Sequence, residues 1–200
     1  MITRGRGRWQ TLAMHLQGPR LTLRPLTAED APALFAMNGD AAVMAHFASV
    51  MTREESDAWL ARLMAHQAEY GFSFCAVDLP GVSCIGVVGL LHIPWRARFT
   101  PAVEIGWRIH TDHQRQGLAR EAARLALDFG LHSLRLAEIV AFTVPANRPS
   151  WRLMEGLGML GDGEFGHPRL APAHPLHRHL LYRISPASSR AIQPSGHWRS

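Results

Sequence analysis

Residues 103–119 decide the fold of this chain, and their sequence is VEIGWRIHTDHQRQGLA. Apolar side chains occupy every second position of the first seven residues, and this alternation predicts a β-strand over residues 102–109. The polar residues that come next predict a loop. Over residues 117–132 apolar side chains recur at helical spacing, so a helix is predicted there. A strand, a polar loop and a helix that starts with a glycine therefore follow one another directly.

The start of this predicted helix has the properties of an anion-binding site. The first amides of a helix have no partner within the helix, and the helix dipole favours negative charge beside them. Gly117 lets a phosphate approach the backbone, and the small side chain of Ala119 keeps that approach clear. Arg115 and Arg120 can add charge-assisted hydrogen bonds. The segment therefore predicts a site for a phosphate-bearing ligand.

The rest of the chain alternates between helical and strand-like periodicity. Strands are predicted over 20–25, 72–79, 84–92, 137–144, 159–165 and 177–184, and helices over 27–38, 52–67 and 147–158. The order is one strand, two helices, three strands, a helix, a strand, a helix and two strands, without an internal repeat. It predicts an α/β domain built on one mixed sheet.

The net charge of +5 lies in the two tails of the chain. There are 21 basic residues, all of them arginine, against 16 acidic ones. The whole excess comes from five arginines outside residues 20–185, which are Arg4, Arg6, Arg8, Arg190 and Arg199. A nucleic-acid-binding module carries its charge on the folded face, so no nucleic-acid partner is predicted. We expect residues 1–19 to form a flexible basic arm, 20–185 the folded domain and 186–200 a disordered tail.

Composition also argues against several other classes of protein. No apolar run approaches the roughly 18 residues of a membrane span, so no membrane partner is predicted and a cytoplasmic location is the default. The absence of lysine excludes a Schiff-base lysine and a Walker-type phosphate loop. Cys75 and Cys84 form no Cys-x-x-Cys pair and are expected to be buried and inert. The histidines within 167–179 lack a carboxylate or cysteine pattern that would complete a metal site, so no metal is predicted.

The segment around Gly117 resembles the GCN5-related N-acetyltransferases, the GNAT family. Their signature at such a junction is Gln/Arg-x-x-Gly-x-Gly/Ala, and Gln114, Gly117 and Ala119 match it. Residues 147–159 resemble a second stretch of the family, in which Asn-x-x-Ser opens a helix that ends in Leu-Gly-Phe. Residues 21–30 are similar to the branch that includes the ribosomal-protein-alanine N-acetyltransferases.

The resemblance covers about residues 20–185 and implies both fold and activity. The implied fold is a single domain with a mixed, mostly antiparallel sheet of about six or seven strands flanked by about four helices. The implied activity is transfer of an acetyl group from acetyl-coenzyme A to a primary amine of a protein N-terminus or small molecule, by direct attack. The alternative is a non-catalytic module that binds or senses coenzyme A on the same fold. The identity of the acceptor and the presence of a homodimer are left open.

The resemblance also implies which residues hold the cosubstrate. Main-chain groups of Ile109, His110 and Thr111 would hold the pantetheine arm, and Asn147 would hydrogen-bond it. The pyrophosphate would be held by the residues of the signature segment, which are Gln114, Arg115, Gln116, Gly117, Leu118, Ala119 and Arg120.

Glu104 is the first candidate for a catalytic residue. A carboxylate in the middle of a central strand is costly unless it has a partner or a function. One interpretation is an ion pair with Arg108 or another arginine. The other is a general base whose pKa is raised by burial, which agrees with the use of a glutamate in this strand by some family members. If Glu104 is structural, bulk water or a histidine such as His92 or His110 would take the proton.

Ser150 is the second candidate. Many family members carry a tyrosine as general acid in the last helix, but Met154 stands where we expect it. Ser150 lies three residues after Asn147, so both side chains can face one side of the helix start. It is the best remaining donor to the leaving sulfur. The alternative is a helix-terminus hydroxyl that bonds only to backbone amides.

Overall fold

The computed structural model of this chain describes residues 14–187. Its helices are α1 Ala31–Asn38, α2 Arg53–Tyr70, α3 Leu118–Asp128 and α4 Arg148–Gly156. Its strands are β1 Leu16–Gln17, β2 Thr22–Pro25, β3 Phe74–Leu79, β4 Val82–His92, β5 Val103–Ile109, β6 Ile139–Thr143, β7 Leu160–Gly166 and β8 Arg178–Ile184. Apart from β1, these elements follow the predicted order. None of the described helices has the length and apolarity needed to cross a lipid bilayer.

The eight strands form one mixed sheet in the order β1-β2-β3-β4-β5-β6-β8-β7. β5 runs parallel to β6, with Glu104 opposite Val140. Antiparallel pairing joins β1 to β2, β2 to β3, β3 to β4, β6 to β8 and β7 to β8. The predicted α/β fold with a mixed, mostly antiparallel sheet is therefore confirmed, with one strand more than the six or seven expected.

The described residues divide into two compact units. The first contains residues 14–91 and 105–126, and the second contains 92–104 and 127–187. In the first unit, buried side chains of both long N-terminal helices pack on β3 and β4, with Leu34, Met37, Leu60, Leu63, Ala76, Cys84 and Val87 among them. In the second, a smaller apolar cluster consists of Ile93, Phe99, Val140 and Leu181. Each unit thus has an apolar core of its own.

Arg24 is the main buried cation of the first unit that has acidic partners. Its guanidinium lies 2.7 Å from Asp30, the residue before α1, and 2.7 Å from Asp78 on β3. Asp30 is almost fully buried and also accepts a hydrogen bond from the amide of Thr27 at 2.8 Å. Two carboxylates therefore neutralise this arginine and fix the start of α1 against the sheet.

The two cysteines are buried, as predicted from the sequence. Burial raises the pKa of the Cys75 thiol to about 12, and burial raises that of Cys84 to about 12 as well. The reactive thiolate is therefore scarce at neutral pH, and both residues serve as core side chains.

Residues 14–17 correct the prediction of a flexible arm over residues 1–19. Leu16 and Gln17 form β1 and pair with Leu23 and Thr22 of β2. Met14 is fully buried, and its carbonyl oxygen accepts a hydrogen bond from the Cys75 thiol. The last residues of the expected arm therefore belong to the fold. Residues 1–13, and residues 188–200 of the expected tail, lie outside the described part.

We expect Met14→Ala to lower the free energy of unfolding by about 2–5 kcal/mol, because it leaves a cavity where a buried side chain stood. Met64→Ala is the matched control, since Met64 is exposed on α2, and it should change stability by less than about 0.5 kcal/mol. Urea denaturation measures both variants. An equally small effect at both positions would restore the prediction that this segment is a loose arm.

Candidate active site

Two left-handed residues shape the segment between β5 and α3. After Ile109 the chain makes a 3₁₀ turn over Thr111–His113 and reaches Arg115, whose φ is 60°, and Gly117, whose φ is 77°. Glycine adopts this region freely, whereas a residue with a β-carbon is strained there. We call residues 110–119 the anion loop. Its backbone path depends on these two positions.

The amides of residues 115–119 find no hydrogen-bond acceptor within residues 14–187. The hydrogen bonding of α3 begins only with the amide of Glu121, which donates to the carbonyl of Gly117 at 3.1 Å. Unpaired amides carry partial positive charge, and the dipole of α3 adds to it. Five consecutive donors are therefore available to an anion, and the anion site predicted from the sequence stays a prediction.

Two glutamine side chains of the anion loop form hydrogen bonds to main-chain carbonyl groups in or next to the loop. Gln114 donates through Nε2 to the carbonyl of Ile109 at 2.9 Å. Gln116 donates through Nε2 to the carbonyl of Asp112 at 3.0 Å. These bonds satisfy carbonyl groups and leave the loop amides free. Both glutamines thus contribute to the site through the shape of the loop.

Arg20 is a residue of this site that the sequence analysis missed. Its Nε donates to Glu121 Oε2 at 2.7 Å, and its Nη1 donates to the carbonyl of Gln116 at 3.1 Å. Among residues 14–187, leaving out the two chain neighbours of Gly117, its Nη2 is the only atom within 4 Å of where a β-carbon on Gly117 would stand. Arg20 and Glu121 are 101 positions apart, so no local pattern reveals the contact. The arginine braces the anion loop and places a cation beside its free amides.

The residues assigned to the pantetheine arm are already partly engaged within the chain. The amide of His110 donates to the carbonyl of Ile85 at 2.9 Å, and the carbonyl of Ile109 accepts from Gln114. The Thr111 hydroxyl lies 3.3 Å from Asp40 Oδ2. A carbonyl oxygen has two lone pairs, so that of Ile109 can still accept a second hydrogen bond.

The remaining signature residues differ in what they present to a ligand. Leu118 is buried, so only its amide is available, and Ala119 is half-buried. Arg115 and Arg120 are exposed. Their side chains can therefore reach an anion at the surface of the loop.

Glu104 lies in β5 without a hydrogen bond or an ion pair to any described residue. Its side chain is half-buried. Burial raises the pKa of its carboxyl group to about 7, although the positive charge of Arg169 acts in the opposite direction. Arg108, the partner considered in the structural interpretation, donates instead to Asn38. With this pKa, the carboxyl group of Glu104 can take up or release a proton near neutral pH.

Asn147 and Ser150 lie together at the start of α4. The side-chain oxygen of Asn147 accepts from the Ser150 amide at 3.4 Å, and its Nδ2 donates to Thr143 Oγ1 at 3.0 Å. Asn147 is thus the N-cap of α4 and ties it to β6. The hydroxyl of Ser150 bonds to no described residue, so the bond to a backbone amide that the alternative interpretation requires is not observed. Met154 is buried and packs as a core side chain.

The late histidines lie among aromatic rings. The ring centroid of His167 is 4.9 Å from that of Trp95 and 5.1 Å from that of His179. Burial, aided by the charges of His179 and Arg169, lowers the pKa of His167 to about 4, so this ring is neutral at pH 7. No three His, Cys, Asp or Glu side chains of the described chain are grouped as metal ligands.

The chain is similar to known acetyltransferases in sequence and in structure. The family model for the acetyltransferase (GNAT) domain matches residues 20–160. The uncharacterized N-acetyltransferase YnaD of Bacillus subtilis (strain 168) is 31% identical over 154 residues, which are 76% of this chain and 86% of that protein. A GNAT-family acetyltransferase from Bacillus anthracis has a TM-score of 0.70 and 26% identity, covering 86% of this chain and 98% of that one. Spermidine N-acetyltransferase from Vibrio cholerae, solved with CoA and spermine, has a TM-score of 0.69 and 21% identity, with the same coverage.

The chain belongs to the GNAT acetyltransferase family. The prediction of a GNAT-type N-acetyltransferase is therefore confirmed, and the fold is one that binds acetyl-coenzyme A. The narrower similarity to the ribosomal-protein-alanine acetyltransferases stays a prediction.

We expect Gly117→Ala to weaken coenzyme A binding at least about tenfold, because the added methyl group would stand beside the free amides of the anion loop. Gly81→Ala is a matched control. Gly81 has a φ of 78°, and no described atom beyond its chain neighbours lies within 4 Å of its β-carbon position, so both variants carry a similar backbone strain. Isothermal titration with coenzyme A measures the two affinities.

The fold should survive both substitutions, since an alanine β-carbon at residue 117 meets only Arg20 Nη2 at 3.5 Å. Equal affinities for the two variants would place the pyrophosphate away from the anion loop.

Proposed function

We propose that this acetyltransferase moves the acetyl group of acetyl-coenzyme A directly to a primary amine, with Glu104 as general base and Ser150 as a donor to the leaving sulfur. The proposal rests mainly on the environment and the pKa of the Glu104 carboxyl group. Its carboxylate has no partner among the described residues, and burial raises its pKa to about 7. A general base is most effective when its pKa lies near the working pH.

The proposed reaction removes two protons from the ammonium nitrogen and delivers one to the leaving sulfur, so one proton is released to solvent. Alkyl amines are protonated at neutral pH, so the ammonium group first gives a proton to Glu104, directly or through a water molecule. The neutral nitrogen then forms a bond to the thioester carbonyl carbon, the carbon–sulfur bond breaks, and the nitrogen gives up its second proton to water. The Ser150 hydroxyl, which bonds to no described residue, donates a hydrogen bond or proton to the departing thiolate. The nitrogen is the nucleophile, so no covalent enzyme intermediate is required.

The same proposal assigns the pyrophosphate of the cosubstrate to the anion loop. The free amides of residues 115–119 and the exposed side chains of Arg115 and Arg120 support the assignment. Arg20 adds a further cation at Gly117. We assign the pantetheine arm to the main chain of residues 109–111 and to Asn147, whose side-chain amide keeps unused hydrogen-bonding capacity after capping α4.

The acceptor is proposed to be a primary amine of a small molecule or a protein N-terminus. The fold shared with the Vibrio cholerae spermidine N-acetyltransferase, solved with spermine, supports an amine acceptor in general. The alternative is a module that binds coenzyme A without catalysis. Thiol release from acetyl-coenzyme A in the presence of a panel of amines separates the two, because a binding module releases no thiol.

We expect Glu104→Gln to lower kcat at least about a hundredfold, because a positioned general base contributes roughly 10²- to 10⁴-fold. The wild-type rate should fall as the pH drops through about 7, where Glu104 takes up a proton, and the variant should lack this ionisation. Thiol release across the pH range measures both effects. Normal turnover by the variant at every pH would make the glutamate structural, with bulk water or a histidine such as His92 or His110 as the base.

Measuring the free energy of unfolding of the Glu104→Gln variant tests whether it is folded. The carboxyl group has a higher pKa in the folded chain than in the unfolded chain, so its ionisation destabilises the fold as the pH rises through about 7. The variant should therefore gain stability at pH 8, by at most about 3 kcal/mol, and gain little at pH 4. A loss of stability at pH 8 would show that the carboxylate has a partner in the folded protein.

We expect Ser150→Ala to lower kcat about tenfold or more, because it removes the proposed donor to the leaving sulfur. The affinity for coenzyme A and the melting temperature should stay close to wild type, since the Ser150 hydroxyl forms no hydrogen bond to a described residue. Ser83→Ala, at an exposed position of β4, is the control and should leave all three unchanged. Steady-state kinetics and thermal melts provide the measurements. An unchanged kcat in Ser150→Ala would remove this residue from the mechanism.

A further inference from the structure

Arg108 lies at the C-terminal end of β5 and is the second partly buried arginine of the first unit. It follows Glu104 by four residues on the same strand, so the two side chains leave the same face of the sheet. Its Nη1 donates to Asn38 Oδ1 at the end of α1. Asn38 is fully buried and donates in turn to Ser56 Oγ at 2.9 Å. The guanidinium is therefore held in place by neutral groups.

Two aromatic rings cover the guanidinium. Its Cζ lies 4.3 Å from the ring centroid of Phe47 and 4.8 Å from that of Trp59. Trp59 belongs to α2 and is half-buried, whereas Phe47 is exposed and lies in the segment between α1 and α2. Cation–π contacts of this kind stabilise the charge but supply no hydrogen-bond acceptor.

The charge of Arg108 has no counter-ion within the described residues. No Asp or Glu forms an ion pair with it, its Nε is buried without a hydrogen-bond partner, and burial lowers its pKa to about 10. Arg24 in the same unit is different, because two carboxylates neutralise it. A cation withdrawn from water without an opposite charge is costly. The cost is offset if an anion from outside the chain completes the site.

The free edge of the guanidinium indicates which anion fits. Nη1 donates one of its N–H groups to Asn38, which leaves Nε and Nη2 as an adjacent pair of donors without a hydrogen-bond partner among the described residues, and Nη2 is not among the buried atoms that lack one. Adjacent N–H groups of a guanidinium match the two oxygens of a carboxylate, as two parallel hydrogen bonds.

We propose that Arg108 binds the carboxylate of the acceptor, so that the substrates of this enzyme are amines that also carry a carboxylate group. This assignment rests on the acetyl transfer proposed above and narrows its acceptor class. It disfavours diamines and polyamines, because their second cation would face the guanidinium of Arg108.

The first test uses the unmodified full chain. Thiol release from acetyl-coenzyme A is measured with α- and ω-amino carboxylates, with the carboxamide of each one, and with diamines of matching length. The pH is chosen for each amine so that the same fraction of its amino groups is unprotonated. We expect kcat/KM for the best carboxylate to exceed that for its carboxamide about tenfold or more, as a lost charge-assisted hydrogen bond predicts. Carboxamides or diamines that react as well as the carboxylates overturn the role of Arg108. No thiol release with any amine overturns the acetyl transfer itself.

The second test asks whether Arg108 causes the preference. In Arg108→Gln the ratio of kcat/KM between carboxylate and carboxamide should fall towards one, chiefly through a higher KM for the carboxylate. Arg108→Lys should retain part of the ratio. A structural arginine would instead slow all acceptors equally and leave the ratio unchanged, which overturns the proposal.

Arg53→Gln is the matched control. Arg53 also lies over an aromatic ring, that of Phe35, but it is exposed and paired with Asp57 on α2. Its loss should leave the ratio at the wild-type value. If Arg108→Gln does not fold, the ratio in the wild type and in Arg108→Lys still decides the question.

Discussion

The proposed cosubstrate site depends on five consecutive backbone amides that find no acceptor within the described chain. A helix start provides only part of this condition, since loop carbonyls nearby would readily accept such amides. Gln114 and Gln116 occupy two of these carbonyls, and Arg20 occupies a third. Arg115 and Gly117 turn the backbone through left-handed conformations. At Arg115 this geometry strains the chain by roughly 1–2 kcal/mol, which the rest of the domain offsets.

β5, which precedes this loop in the chain, carries two residues that we propose to act on the acceptor, Glu104 and Arg108. Glu104 and Arg108 are its two charged side chains, and neither forms an ion pair with a described residue, although the charge of Arg169 acts on Glu104. The sequence left two interpretations of Glu104 open, an ion pair with Arg108 or another arginine and a general base. Arg108 is instead held by Asn38 and by two aromatic rings, which leaves Glu104 unpaired. Both groups are unfavourable for folding, and this is typical of residues retained for a function.

Much of the fold could be predicted because long elements have clear periods. α2 was indicated by the capping box at Thr52, which the structure contains, and β6 by the mostly apolar run over residues 137–144. β1 could not be predicted, since two residues are too few to show an alternation. Its existence depends on pairing with β2 and on the burial of Met14. The same reason explains why the boundary of the arm was placed too late.

The sequence by itself determined the order of the elements, the family and the position of the anion loop, because these depend on local spacing and on backbone groups next to one another. Only the tertiary structure decided which charges are paired. Arg20 reaches Glu121 across 101 positions, Arg24 is neutralised by Asp30 and Asp78, and Arg108 finds only neutral partners. Charge pairing and desolvation depend on which side chains the fold places within a few ångströms of one another. Contacts between residues that are distant in the chain produce no local sequence pattern, so they could not be predicted.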